Sequence, residues 1–383
     1  MSDMPDIATV LASVLAENGG AVTPPIVQTS LFSFESYAAF EARMSGQTNT
    51  AIYTRVQNPT VGAFEDLMAQ AEAGEAAVGF ASGMAAISST LLAFVKPGDR
   101  IACIEHVYPD TYRFFERILR PFGVEIEYHT ASAFEEDPNL LSGVAIAYLE
   151  SPSSVIFRPM NLSRVAEHAR HHGAITIIDN SWASPVFQRP ITSGIDIVLH
   201  SASKYISGHS DTVAGVVVSS HAYNARIRDL TLPLIGAKLA PFEAFLLTRG
   251  LRTLKARMMQ HQATADLFVD RLASVPQVRE INSPGANSVP GLMGRSGLMS
   301  IEFDDSVDIR AFADAVRLFR LGVSWGGFES LLLPARVGLA QAGLHNSMQT
   351  FGVSPNLVRL NLGLEDAEDL WADFETALIA SVT

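Results

Sequence analysis

Cysteine is nearly absent from this sequence: Cys103 is the only one among 383 residues. A single thiol cannot close an intrachain disulfide, which excludes a disulfide-stapled scaffold and predicts a reducing, cytoplasmic setting. Cys103 lies in the apolar run Arg100-Ile101-Ala102-Cys103-Ile104. With no basic residue directly beside it, it reads as a buried structural thiol and not a nucleophile. Basic residues are also scarce, 27 against 40 acidic ones, for a net charge of −13. That balance excludes a nucleic-acid partner, whose phosphates need a basic surface. No apolar run reaches the ~18 residues of a membrane helix. The start Met1-Ser2-Asp3-Met4-Pro5-Asp6 lacks the basic opening of a secretion signal. No G-x-G-x-x-G turn follows the first expected strand, so a nicotinamide-binding sheet lacks its fingerprint. Nor is a metal cluster evident: His168, His171 and His172 fall on one expected helix and read as a solvated face.

What is present is a large core. Hydrophobic residues make up 48% and charged residues 17%, which fits a compact globular enzyme-sized chain acting on a small metabolite. Residues 1–50 hold a short helical pattern near 7–17 and a loop-rich stretch with Pro24 and Pro25. They read as an arm. From 51 to 243 helix and strand patterns alternate. A helix over 61–72 starts after Asn58-Pro59-Thr60, and another runs over 83–94. Strands are expected at 75–80, 100–104, 124–128, 144–149, 174–178 and 195–200. Unbroken apolar strands separated by helices predict an α/β fold with a mostly parallel sheet covered on both faces. From 244 to 383 a smaller α/β domain is expected. Its long helical pattern spans 241–274, with strands near 298–303 and 357–362, helices near 307–320 and 366–380, and loops at 284–297 and 322–330.

The strongest local signal is SASKYISGHSD, residues 201–211. It places Lys204 just past a buried strand, at the end of the sheet where open α/β proteins bind ligands. A Lys-Tyr pair alone fits a solvated loop equally well. Asp179 closes the strand before it and is suited to a protonated ring nitrogen, although a carboxylate there also serves as a turn or cap residue. Ala81-Ser82-Gly83-Met84 opens a helix with free backbone N–H groups for a phosphate, or as an ordinary N-cap. Tyr108 offers an aromatic face to a flat ring, or a core tyrosine. Arg359 sits within the apolar strand Leu357-Val358-Arg359-Leu360-Asn361-Leu362, where a charge needs an anionic partner.

Taken together, YTRVQNPT (53–60), ASGM (81–84), VYPDTYR (107–113), ESPSS (150–154), IDNSW (178–182), SASKYISGHSD (201–211), TRGLRTL (248–254), SWGGFESL (324–331) and VRLNLGLED (358–366) resemble the Cys/Met-metabolism (trans-sulfuration) family of pyridoxal phosphate (PLP) enzymes. The match runs from about residue 22 to the C-terminus. It implies fold type I, the aspartate aminotransferase-like fold. That fold has a seven-stranded, mostly parallel sheet in its large domain and a smaller C-terminal domain. The resemblance also implies roles. Lys204 holds PLP as a Schiff base and moves the substrate proton. Asp179 meets the ring nitrogen and Tyr108 stacks on the ring. Gly83, Met84, Ser201 and Ser203 hold the phosphate. Tyr53 and Arg55 reach the phosphate of a neighbouring subunit in a homotetramer built as a dimer of dimers. Arg359 clamps the substrate carboxylate, and Ser324 assists through its backbone.

Family members divide by the bond they break. Ser154, Val323 and Trp325 resemble the bacterial cystathionine β-lyases, since γ-acting synthases and lyases usually carry Glu at the position of Val323 and Leu at that of Trp325. They imply α,β-elimination on cystathionine or a related cysteine S-conjugate, with Ser154 and Trp325 lining the substrate site. Asn58-Pro59-Thr60 resembles the γ-acting branch, and Phe245 stands where bacterial β-lyases tend to have Tyr, which keeps methionine γ-lyase, cystathionine γ-synthase or lyase, and O-acylhomoserine sulfhydrylase open as alternatives. A PLP-fold binding or regulatory protein is a further alternative, opposed by the intact set Lys204, Asp179, Tyr108 and Arg359.

Overall fold

The computed structural model describes residues 5–13, 20–343 and 345–382. Among these residues two sheets form. The larger holds β1 (Ala76–Phe80), β2 (Arg100–Ile104), β3 (Glu125–His129), β4 (Ile146–Glu150), β5 (Ile175–Asp179), β6 (Ile197–His200) and β7 (Gly215–Ser219), in the order β1-β7-β6-β5-β4-β2-β3. β3, β2, β4, β5 and β6 run parallel; β7 is antiparallel to both of its neighbours, β6 and β1. Every residue of β4 and β7 is buried, as expected for strands covered by helices on both faces.

The parallel strands end at one edge of this sheet, and their last residues are Ile104, His129, Glu150, Asp179 and His200. Register fixes Glu150 beside Asp179 across β4 and β5. Loops leaving this edge therefore converge, which is where ligands bind in such sheets.

The smaller sheet holds β8 (Val278–Asn282), β9 (Leu298–Phe303), β10 (Arg320–Leu321), β11 (Leu331–Pro334) and β12 (Leu357–Asn361), in the order β10-β11-β12-β9-β8. Its core joins Phe268, Phe303, Phe312 and Phe374. A seven-stranded, mostly parallel sheet followed by a smaller C-terminal sheet is the architecture that the family resemblance implied.

Several expected boundaries move. The helix near 7–17 ends at Ala12, because Ser13 turns extended; residues 14–17 lie outside the described residues. The single helix over 241–274 is two, Pro241–Arg252 and Leu254–Leu272, broken at Thr253. β7, β8, β10 and β11 were not anticipated from the pattern. The helix near 307–320 stops at Ala315. Asp373 then accepts from the backbone N–H groups of Arg317 and Leu318 at 2.9 and 2.8 Å, fixing the chain in a non-helical path.

Candidate active site

Lys204 lies in the tight turn after β6, in reach of the loop between β10 and β11. Its Nζ donates to Ser324 Oγ at 2.8 Å and sits 5.3 Å from the centre of the Trp325 ring. Burial, with the Arg359 cation nearby, pushes the amine down to about 8; Asp179 works in the opposite direction. A free amine is therefore accessible in mildly alkaline solution, as a nucleophilic or basic lysine requires.

Asp179 ends β5. Its Oδ1 accepts from the Ser181 backbone N–H at 2.9 Å and from the Ser181 hydroxyl at 2.5 Å. Burial raises its carboxyl pKa, while the Ser181 bonds and the charges of His200 and Lys204 lower it. The Ser181 hydroxyl in turn accepts from the Ser201 N–H at 2.7 Å. Ser201 meets Gly83: a Cβ on that glycine would lie 2.9 Å from the Ser201 hydroxyl. Gly83 opens the helix Gly83–Phe94, which Ser82 caps through the Ala85 N–H. Asp179, Ser181, Ser201 and Gly83 thus form one continuous contact path.

Not every expected phosphate contact is free. The Ser203 hydroxyl exchanges bonds with the Ala214 backbone, donating at 3.2 Å and accepting at 2.9 Å. Met84 packs its side chain on the main core, leaving its backbone at the helix start. Tyr53 and Arg55 contact each other and other surfaces: Arg55 Nη1 donates to the Pro233 carbonyl at 2.7 Å, and its guanidinium lies 5.7 Å from the Tyr53 ring centre. Among the described residues, neither bonds to the Lys204 cluster.

On the other side, Arg359 Nη2 donates to the Val323 and Ser324 carbonyls at 2.7 and 3.0 Å. Burial pushes its guanidinium down to about 10. Ser324 therefore bridges two expected residues, taking Lys204 on its hydroxyl and Arg359 on its carbonyl. Tyr108 is 39% exposed, enough to present a ring face. Its backbone N–H donates to Glu150 Oε1 at 2.8 Å and its hydroxyl to Asp110 Oδ2 at 3.0 Å. Burial and the Asp110 carboxylate raise its phenol pKa. Ser154 hydrogen-bonds Glu150 through its hydroxyl and its N–H. Phe245 lies half-buried on the helix Pro241–Arg252.

Sequence reasoning missed several supporting residues. Glu150 and Ser181 stood inside quoted motifs without a role. Asn361 had none either: its Nδ2 donates to the Glu329 carbonyl at 2.8 Å, and its Oδ1 accepts from the Gly326 N–H at 3.0 Å. It pins the loop carrying Ser324 and Trp325. A buried-side Asn closing an apolar strand was the available signal.

Gly326 in that loop has a φ of +83°, and a Cβ there would come within 2.9 Å of the Tyr205 nitrogen and 3.1 Å of Lys204 Cα. Gly326→Ala is expected to cost about 2 kcal/mol or more through left-handed strain and this clash, and to displace Lys204. A thermal melt, with cofactor retention on gel filtration, checks it.

A sheet edge carrying a lysine of lowered pKa, a buried carboxylate, an exposed aromatic ring and a glycine-opened helix defines a PLP-dependent enzyme of fold type I. The chain belongs to the Cys/Met metabolism PLP-dependent enzyme family, whose model matches residues 8–379. It is 36% identical over 375 residues to an L-methionine γ-lyase of Pseudomonas putida, covering 95% of this chain and 94% of that one. It is 33% identical over 374 residues to a cystathionine β-lyase of Lactococcus lactis, covering 94% of each. A cystathionine γ-synthase structure from Xanthomonas oryzae aligns with a TM-score of 0.89, 32% identity and 98% of both chains. Its residues fit the cofactor: Asp179 is a buried carboxylate in need of a cation, and the Gly83–Ser201 contact leaves no room for a side chain where a phosphate would approach.

Proposed function

We propose that the protein is a carbon–sulfur lyase that performs α,β-elimination on cystathionine or a related cysteine S-conjugate, releasing the thiol (homocysteine from cystathionine), pyruvate and ammonia. The observation that carries this reading is the Trp325 ring seated over Lys204 Nζ, with Ser324 Oγ on the same amine. α,β-Elimination needs only loss of the α-proton to Lys204 before sulfur leaves Cβ. γ-Chemistry needs a further proton shift at Cβ, and γ-acting members usually carry Leu at the position of Trp325. Val323, 79% exposed, offers no carboxylate to a distal ammonium.

In this reading Arg359 binds the substrate carboxylate, its fork matching two oxygens. Lys204 anchors the cofactor and then accepts the α-proton. Asp179 faces the ring nitrogen, and Tyr108 covers the ring. Gly83, the Met84 backbone and Ser201 surround the phosphate, Ser203 lies beside them with its hydroxyl held by Ala214, and Ser154 and Trp325 line the substrate side. When bound, PLP supplies an electron sink that acidifies the α-carbon. Tyr53 and Arg55 complete the site of a second copy, in a tetramer whose contacts use the arm. The exposed Val22, Leu31, Tyr37 and Met44 of that arm, at 71, 60, 80 and 66%, support it. The division into an arm (1–50), a cofactor domain (51–243) and a C-terminal domain (244–383) belongs to the same proposal.

A γ-acting reading is favoured by the 36% identity to a methionine γ-lyase. The products separate the two. L-Cystathionine is expected to give pyruvate and homocysteine; 2-oxobutyrate from cystathionine or methionine would replace β-elimination with γ-elimination.

A further inference from the structure

We infer that Glu150 is a positioning residue of the cofactor site, fixing Tyr108 and Ser154 around the end of β5, and that it does so as a neutral acid and not as a carboxylate. The inference rests on the proposed placement of Tyr108 and Asp179 against the cofactor.

Glu150 is 5% exposed and closes β4 in register with Asp179. Three segments that leave the same sheet edge meet on it. The Tyr108 N–H donates to its Oε1 at 2.8 Å, and Ser154 bonds it through hydroxyl and backbone. Asp179 lies on the next strand. Losing the Glu150 side chain would release both the ring-covering tyrosine and the 151–154 loop.

Two buried acids side by side need an account, because burying a charge without a counter-charge is costly. The titratable groups facing Glu150 are Asp179 on β5, Tyr148 on its own strand, Cys103 on β2 and Tyr108. None of these is a cation, and among the described residues Glu150 forms no ion pair. The cation of the site, Lys204, acts on Asp179 instead. One proton shared unequally resolves the conflict: Asp179 keeps the charge and Glu150 keeps the proton. Burial and the Asp179 charge push the Glu150 carboxyl up to about 8. In neutral form it still accepts from the Tyr108 N–H through its carbonyl oxygen. Its O–H can donate to the Ser154 hydroxyl, which serves as donor or acceptor. Below pH 8 the acid is neutral; above it, a second negative charge develops beside Asp179.

Glu150→Gln copies the neutral form and cannot ionise. Glu150→Asp keeps an ionisable group but withdraws it by one methylene from the Tyr108 N–H. In the holoenzyme, the visible absorbance of the bound cofactor should follow the same course with pH below 8 in Glu150→Gln as in the unsubstituted protein, within about half a unit, because the amide copies the neutral acid and removes no charge from the site. Cofactor affinity by equilibrium dialysis at pH 7 should stay within about threefold for Glu150→Gln, and weaken about five- to tenfold for Glu150→Asp, the equivalent of one hydrogen bond. A titration displaced to lower pH by about a unit or more in Glu150→Gln below pH 8, or a cofactor loss in that folded variant matching Glu150→Asp, overturns the neutral-acid assignment. Wild-type affinity in Glu150→Asp overturns the positioning role. These readouts do not depend on which carbon–sulfur bond breaks, so a change in the product assignment leaves them standing.

Discussion

Lys204→Ala is expected to lose both the visible absorbance of bound cofactor and turnover. In the proposed reaction this amine does two jobs, covalent anchoring and proton transfer. A positioned acid–base group alone is worth ~10²–10⁴-fold, so kcat should fall by at least about 10³-fold once anchoring is lost as well. Lys204→Arg sharpens the result. It preserves a cation facing Asp179, but a guanidinium cannot give up its proton in this range. It should be as inactive as alanine while perturbing the fold less. The apo-protein gives a pH signature. Its amine is pushed down to about 8, so the free-amine fraction grows as pH rises through that value. Covalent uptake of cofactor should accelerate over the same interval. Near-normal turnover by either variant would remove the lysine from the mechanism.

The sequence made this lysine legible for a local reason. The strand, the small hydroxyl residues and Lys204 itself lie within a dozen positions, and Asp179 closes the strand beside it. Gly83 was legible for the same reason, as the opening of a helix after a strand. Residues defined by contacts far away in the chain were not. Glu150 is one more acid at a strand end until β5 brings Asp179 alongside it. The hydroxyl of Ser324 gained its role only when β12 and its neighbours set the 322–330 loop above Lys204. The break at Thr253 is similar. Strong helix formers surround it, and a local window sees one helix. Arg257 reaches back to take the Gly250 carbonyl at 2.8 Å and the Tyr205 carbonyl at 2.7 Å, and so stabilises the break from a distance. The short strand β7 gave no signal, because three consecutive valines between Gly215 and Ser219 carry no period.

Arg359→Ala is expected to lower kcat/KM by roughly 30-fold to several-thousand-fold. The estimate follows from the ~2–5 kcal/mol lost when one partner of a buried, hydrogen-bonded charge pair is truncated, at 1.4 kcal/mol per tenfold. The structure adds a complication, because this arginine also holds the Val323 and Ser324 carbonyls. Its removal frees the loop whose Ser324 hydroxyl steadies Lys204. Two measurements separate the effects. If Arg359 acts mainly as the carboxylate clamp, cofactor absorbance and its pH midpoint stay near those of the unsubstituted protein, and the loss falls on KM. The decarboxylated amine analogue of the substrate, which has nothing for the clamp to hold, should then be bound equally well with or without Arg359. If the loop is the main casualty, the absorbance changes and the amine analogue suffers alongside the amino acid. Arg359→Lys should recover only part of the loss, since one ammonium restores the charge but not the two parallel bonds of a guanidinium fork. An unchanged kcat/KM in Arg359→Ala would place the carboxylate elsewhere and leave Arg359 as a brace for the Ser324 loop.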